Sequence, residues 1–171
     1  GSSANLAAIA AAVLDHRNDL QAGDEVLVPA VSWATTYYPL QQYGLVLKFV
    51  DIDIDTLNMD LELAKAAIGP KTKAIFAVNL LGNPNDFNQL MSLADEHGLL
   101  VFEDNCESLG ATFEGKAAGT FGQMGTFSSF FSHHISTMEG GLVCTNDEEL
   151  WHILLCLRAH GWTRNLPEIN H

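Results

Sequence analysis

The sequence predicts an α/β domain: a parallel or mixed sheet covered on both faces by helices. Two observations lead there. Short apolar runs alternate along the chain with longer stretches of helical spacing, an order that produces strand–helix–strand units. The 171 residues, 47% hydrophobic and 17% charged, also suffice for one domain around one core.

Taken in order, Ser3 to about Arg17 is rich in alanine and leucine and reads as a helix capped by Ser3. "EVLVPA" reads as a short buried strand. "WATTYYPLQQYG" reads as a helix despite Pro39, followed by a strand in "VLKFVDID", a helix in "DLELAKAAI" and a strand in "KAIFAVNL". "DFNQLMSLADEHG" has helical spacing and runs into "LLVFEDN", a continuous apolar strand that ends in acids. Glycine-containing loops cluster in "EGKAAGTFGQMG". Near the end, "DEELWHILLCLRAHG" reads as a helix with Asp147 at its start and Gly161 at its stop. No internal repeat, low-complexity tract or linker interrupts the pattern.

The formal charge of −13 argues against a nucleic-acid or anionic-membrane surface, so a small anion has to be captured locally. No apolar run approaches the roughly 20 residues that span a bilayer. Cys106, Cys144 and Cys156 are odd in number and lack CxxC spacing, which indicates neither a disulfide framework nor a zinc site and predicts a cytoplasmic home. No signal-peptide pattern is visible. The opening "GSSANLAAIAAAVL" reads as the inside of a motif, so a fragment of a longer chain is expected.

Several residues carry chemistry. Gly1, Ser2 and Ser3 precede or open the first helix, where free N–H groups and hydroxyls suit a phosphate; a plain N-cap is the alternative. Ligands of open α/β sheets gather outside the carboxyl ends of the strands, which privileges Asp104 after "LLVFE". Burying an unpaired carboxylate there is costly, so either a cation such as a protonated heterocycle or a hydrogen bond from a neighbouring loop is expected. Trp33, Tyr37 and Tyr38 offer flat faces, either core or a stacking platform. His133 and His134 point to opposite sides if their segment is extended, which disfavours a metal held by the pair, and no HxH, HExxH or carboxylate spacing supports one. Each is a core, surface or catalytic histidine on this evidence.

Together, "GSSAN", "VPAVSWATT", "LLGNPNDF", "EDNCESLGATFEGKAAGTFG", "FSSFFSHHISTMEGG" and "LRAHGWTRNLP", in that order and spacing, resemble the nucleotide-sugar aminotransferase and dehydratase family. These are pyridoxal-phosphate enzymes with the aspartate-aminotransferase (type I) fold, and the likeness extends over essentially the whole chain. It implies that residues 1–171 are the cofactor-binding large domain, without the amino-terminal arm and the carboxy-terminal small domain of a dimeric enzyme about twice as long. It further implies that Gly1, Ser2 and Ser128 hold the cofactor phosphate, Trp33 stacks on the ring, Asp104 pairs with the ring nitrogen, and Glu107 lies near the ring hydroxyl.

Family aminotransferases place their cofactor-bearing lysine five residues after the phosphate-binding serine and six before the glutamate of "EGG". His133 stands at that position, and none of the five lysines, Lys48, Lys65, Lys71, Lys73 and Lys116, falls in the block. An imidazole makes no lasting imine but is a suitable general base near neutral pH. The resemblance therefore narrows to the histidine-bearing sugar 3-dehydratases. It implies pyridoxal and pyridoxamine phosphate as cofactor, glutamate as amino donor, a nucleotide-linked 4-keto-6-deoxyhexose as substrate, and His133 as the base. A related branch carries an iron–sulfur cluster on cysteines after the segment matching "LRAHGW"; here "TRNLPEINH" has none, and no cluster is expected. A sugar aminotransferase using His133 in an unusual way, a non-catalytic cofactor-binding homologue and a metal hydrolase are the competing readings.

Overall fold

The computed structural model describes residues 1–167; part of "TRNLPEINH" and the last four positions of the expected domain lie outside the described residues. Helix α1 spans Ser2–Leu14, and β1 Glu25–Pro29 is followed by α2 Ala34–Gln42 and β2 Val46–Val50. Helix α3 Leu61–Ala67, β3 Thr72–Val78, α4 Phe87–His97 and β4 Leu100–Asp104 continue the alternation. A small hairpin, β5 Thr112–Phe113 with β6 Lys116–Ala117, precedes β7 Met124–Ser128, β8 Gly141–Cys144 and α5 Glu148–Arg158. Six strands form one sheet in the order β2-β1-β3-β4-β7-β8; its pairs are parallel except β7 with β8.

Two apolar layers sandwich the sheet. On one face α1, α2 and α5 bury Ala8, Ile9, Leu40 and Leu150 against Val26, Phe76, Phe102 and Met124. On the other, α3 and α4 bury Ala64, Leu90 and Leu93 against Leu27, Ile75 and Val101. Strand residues alternate between these layers, so both faces of the central strands must be apolar. The alternation sends Asp104 to the α1 side and Glu103 to the opposite side.

Asp60, Asp86 and Asp147 cap α3, α4 and α5, each accepting a backbone N–H of the first turn. Helix α4 ends at Gly98, which is left-handed at φ 63°. At α1 the expectation fails. Gly1, not Ser3, is the N-cap, no side chain caps the helix, and Ser3 is exposed inside the first turn. The helix stops at Leu14, three residues short of Arg17, because Asp15 is extended and starts a separate 3-10 turn, His16–Asn18, with its own carboxylate. Trp33 is not on a helix either: it is the extended N-cap residue of α2.

Pro39 sits inside α2 and has no N–H to give the carbonyl four residues back, that of Thr35. Thr35 O accepts instead from the side-chain amide of Asn5, at 3.1 Å. The proline thereby leaves an acceptor that joins α2 to α1.

Candidate active site

The carboxyl ends of β3, β4 and β7 and the starts of α1 and α2 enclose a cavity of about 370 Å³, within the range of small-molecule sites. Gly1, Ser2, Trp33, Asp104, Glu107, Ser128 and His133 all line it. The structure thus brings together the seven residues that the family resemblance implied for the cofactor and for catalysis, while Ser3, Tyr37, Tyr38 and His134 do not line the cavity. Asp104, Glu107 and Glu139 are its acids, and among the described residues no lysine or arginine lines it. An anion bound there relies on N–H groups, hydroxyls and the start of α1.

The start of α1 is held tightly. The nitrogen of Gly1 lies 2.9 Å from both Ser128 Oγ and Gly140 O. A Cβ on Gly1 would stand 2.6 Å from Cys106 Sγ and 3.1 Å from Ser128 Cβ, so a side chain there would have to displace the Cys106 thiol. Ser128 Oγ also accepts the Phe130 N–H at 3.2 Å.

Asp104 is 4% exposed, yet its carboxylate is solvated by protein donors. Oδ2 accepts from Asn5 Nδ2 at 2.9 Å and from the Thr36 hydroxyl at 2.8 Å. Oδ1 accepts the Cys106 N–H at 3.0 Å. The neighbouring-loop hydrogen bond and the place for a cation are therefore compatible, since a carboxylate has about four acceptor positions. Burial, reinforced by the charge of Asp104, pushes the Cys106 thiol up and keeps it neutral in the wall.

Glu107 Oε2 accepts the N–H of Leu81 at 2.9 Å. Leu81 is left-handed, at φ 53°, so the turn after β3 and the turn after β4 are tied at the rim. A buried amide cluster supports the same two turns: Asn79 donates to Asn105 at 2.7 Å, and Asn85 donates to Asn79 and to Val78 O, each at 2.9 Å.

Residues 129–140 connect β7 to β8 through turns and bends, not an extended strand. His133 is half-buried and faces the cavity, while His134 is exposed, so the neighbours diverge for a reason other than strand alternation. Trp33 is 75% exposed at the mouth, which excludes the core reading. Tyr37 is half-buried, packs edge-on against Phe49 at 5.3 Å and donates to Pro29 O, whereas Tyr38 is exposed. Among the described residues no group of three or more histidines, cysteines or acids is placed to hold a metal.

Sequence reasoning missed Asn5, Thr36, Thr126 and Glu103. Glu103, fully buried behind the sheet, accepts three backbone N–H groups, from Gly119, Phe121 and Gly122, at 2.6 to 2.8 Å. Burial raises its carboxyl above the ordinary range, and those donors oppose the rise. The signal available was the acid pair closing "LLVFED": alternation puts one acid on each side.

The sequence profile of the DegT/DnrJ/EryC1/StrS aminotransferase family matches residues 1–170. The GDP-4-keto-6-deoxy-D-mannose 3-dehydratase of Yersinia pseudotuberculosis is 66% identical over all of this chain and 44% of its own length. Among solved structures, GDP-4-keto-6-deoxymannose-3-dehydratase with a trapped PLP-glutamate geminal diamine superposes with a TM-score of 0.94 at 63% identity, covering 98% of this chain and 43% of that one. A variant of ColD in which a consecutive serine and histidine are replaced by asparagine and lysine gives 0.94 at 62% identity, covering 98% and 44%. The chain thus spans less than half the length of the relatives it matches. With its three-layer sheet, its cavity at the strand ends and these likenesses, the chain belongs to the DegT/DnrJ/EryC1/StrS aminotransferase family.

Proposed function

We propose that the chain is the cofactor-binding large domain of a longer nucleotide-sugar 3-dehydratase, which removes the C3 hydroxyl of a GDP-linked 4-keto-6-deoxyhexose with glutamate as amino donor. The observation that carries this reading is an imidazole in a cavity that, among the described residues, no lysine lines. The sequence contains one Ser–His dipeptide, Ser132–His133, and a consecutive serine and histidine are the residues replaced in the ColD variant.

The cavity suits pyridoxal or pyridoxamine phosphate: the start of α1 and Ser128 line it, and Asp104 retains acceptor capacity on a buried carboxylate. When bound, that cofactor supplies an electron sink for carbanion character beside its reactive nitrogen. Backbone N–H groups at Gly1 and Ser2 and the Ser128 hydroxyl hold a phosphate without a cationic side chain. Asp104 would hold a proton on the ring nitrogen, and Trp33, at the mouth, would supply a flat face for the ring. Glu107 keeps the Leu80–Gly82 turn against the rim.

His133 would take a proton from the carbon that the bound cofactor acidifies, freeing the electron pair that expels the C3 oxygen, and as imidazolium would return that proton to the oxygen, which leaves as water. Without a lysine to return a proton to the sugar carbon, the sugar loses oxygen instead of gaining an amine. Hydrolysis then yields a 4-keto-3,6-dideoxy sugar and ammonia. We assign the product to the supply of a dideoxyhexose such as colitose for lipopolysaccharide O-antigen, made in the cytoplasm by a homodimer.

The test is His133→Lys in the protein at its relatives' length. A long-wavelength absorbance band of covalently held cofactor, with loss of sugar deoxygenation and ammonia release, is expected. Unchanged deoxygenation by the variant refutes the assignment. Cofactor binding by the unaltered protein without turnover favours a non-catalytic homologue.

A further inference from the structure

Asn5 is fully buried in the second turn of α1, where asparagine is a poor helix former and a buried amide needs partners for all its polar atoms. Every partner lies on a different element. Its Nδ2 donates to Asp104 Oδ2 on β4 at 2.9 Å and to Thr35 O on α2 at 3.1 Å. Its Oδ1 accepts from the Thr126 hydroxyl on β7 at 2.5 Å. Pro39 makes the Thr35 carbonyl available, because the helix itself cannot use it. The carboxylate and the Thr35 carbonyl can only accept, so the NH₂ end of the amide faces them and Oδ1 meets the Thr126 hydroxyl, which donates.

From this we infer that Asn5 is a positioning residue for Asp104. Together with Thr36 it occupies Oδ2 and sets the carboxylate plane, leaving Oδ1, which takes one backbone N–H, as the oxygen with capacity for a cation in the cavity. A protonated ring nitrogen is that cation, so the inference rests on the cofactor reading above. Leucine at position 5 would keep the volume and remove both the donor and the acceptor. Asp104 would then keep the Thr36 bond alone on Oδ2 and could rotate.

The experiment uses the full-length protein stripped of cofactor and titrated with pyridoxal 5′-phosphate, following affinity and the pH dependence of the bound cofactor's absorbance. Asn5→Leu is expected to weaken binding about tenfold, the size of one hydrogen bond to a charged group. It should also move the spectral midpoint to lower pH by about one unit, since a misaligned carboxylate holds the ring proton less well. Thr126→Val should shift both quantities in the same direction by less, and Thr126→Ser, which keeps the hydroxyl, should restore them. A merely structural role would lower the melting temperature without moving the spectral midpoint. A folded Asn5→Leu protein with unaltered affinity and pH profile overturns the inference. If that variant does not fold, Thr126→Val decides against Thr126→Ser: identical profiles in the two overturn it. Failure of the unaltered protein to bind the cofactor removes the functional reading itself, and this inference with it.

Discussion

At position 141, β8 runs so close to β7 and the first turn of α1 that an added Cβ forces its neighbours to shift. A Cβ there would lie 2.7 Å from Phe127 O, 2.9 Å from the Ala4 Cβ and 3.4 Å from the Gly1 nitrogen. The nearest of these is a backbone oxygen, which cannot swing away as a side-chain tip does, and the Ala4 Cβ is fixed to its helix. Gly141→Ala is therefore expected to cost about 1–3 kcal/mol, the usual range for overpacking, measured as a lower urea or thermal midpoint. Because the displaced atoms include the start of α1, the variant should also bind inorganic phosphate or pyridoxal 5′-phosphate less tightly. Some of this is visible in the sequence and some is not. "GSSAN" and "EGG" stand out as motifs, but nothing local says that residues 1 and 141 touch. Asn5 carries no local signal within its alanine-rich helix, because its burial comes from β4 and β7, more than 95 residues away along the chain.

Arg17 acts between elements. From the 3-10 turn after α1 it binds Asp15 at 2.7 Å and Asp147, the N-cap of α5, at 2.8 Å. Hydrogen bonds from Arg17 hold the carboxyls of Asp15 and Asp147 below their ordinary range. A carboxyl that is more acidic in the folded state stabilises the fold above its unfolded pKa, and that contribution disappears as pH falls through the folded value. The window opens at about pH 4, where an unfolded aspartate begins to take up its proton, and extends below it. Arg17→Met should thus be less stable than the unaltered protein at pH 7, with the two stability curves converging in acid. The gap at neutral pH should narrow with added salt, since the arginine is exposed. At this scale the sequence is most informative where an aspartate precedes a periodic segment, as at Asp60, Asp86 and Asp147. It is least informative for β7 and β8. Met124–Ser128 contains glycine, threonine and serine in place of an apolar run, because Thr126 and Ser128 face the polar floor of the site and Gly125 has Gly119 O where a Cβ would be.

The molecule as a whole carries a formal charge of −13, yet Phe131, Ile135, Met138 and Leu81 are all at least 60% exposed and lie around the cavity mouth or on the segment beside it. Such a patch suits a second copy, which would have to approach against its own charge. The protein at its relatives' length is expected to scatter light as a dimer, more firmly in 0.3 M than in 0.03 M salt, conditions that differ about threefold in screening length. Phe131→Glu with Met138→Glu should give a monomer, and a dimer unaffected by the pair would place the contact elsewhere. The reversed direction of β8 reaches further. Since β8 leaves from the edge of the sheet at which β7 arrives, the twelve residues between them never cross the molecule. They form a short return tied to the frame where Gly140 O meets the Gly1 nitrogen, and on the reading proposed above the group at position 133 can be exchanged without altering a strand. On that same reading, one architecture would host amine transfer or oxygen removal, according to which side chain that short return brings.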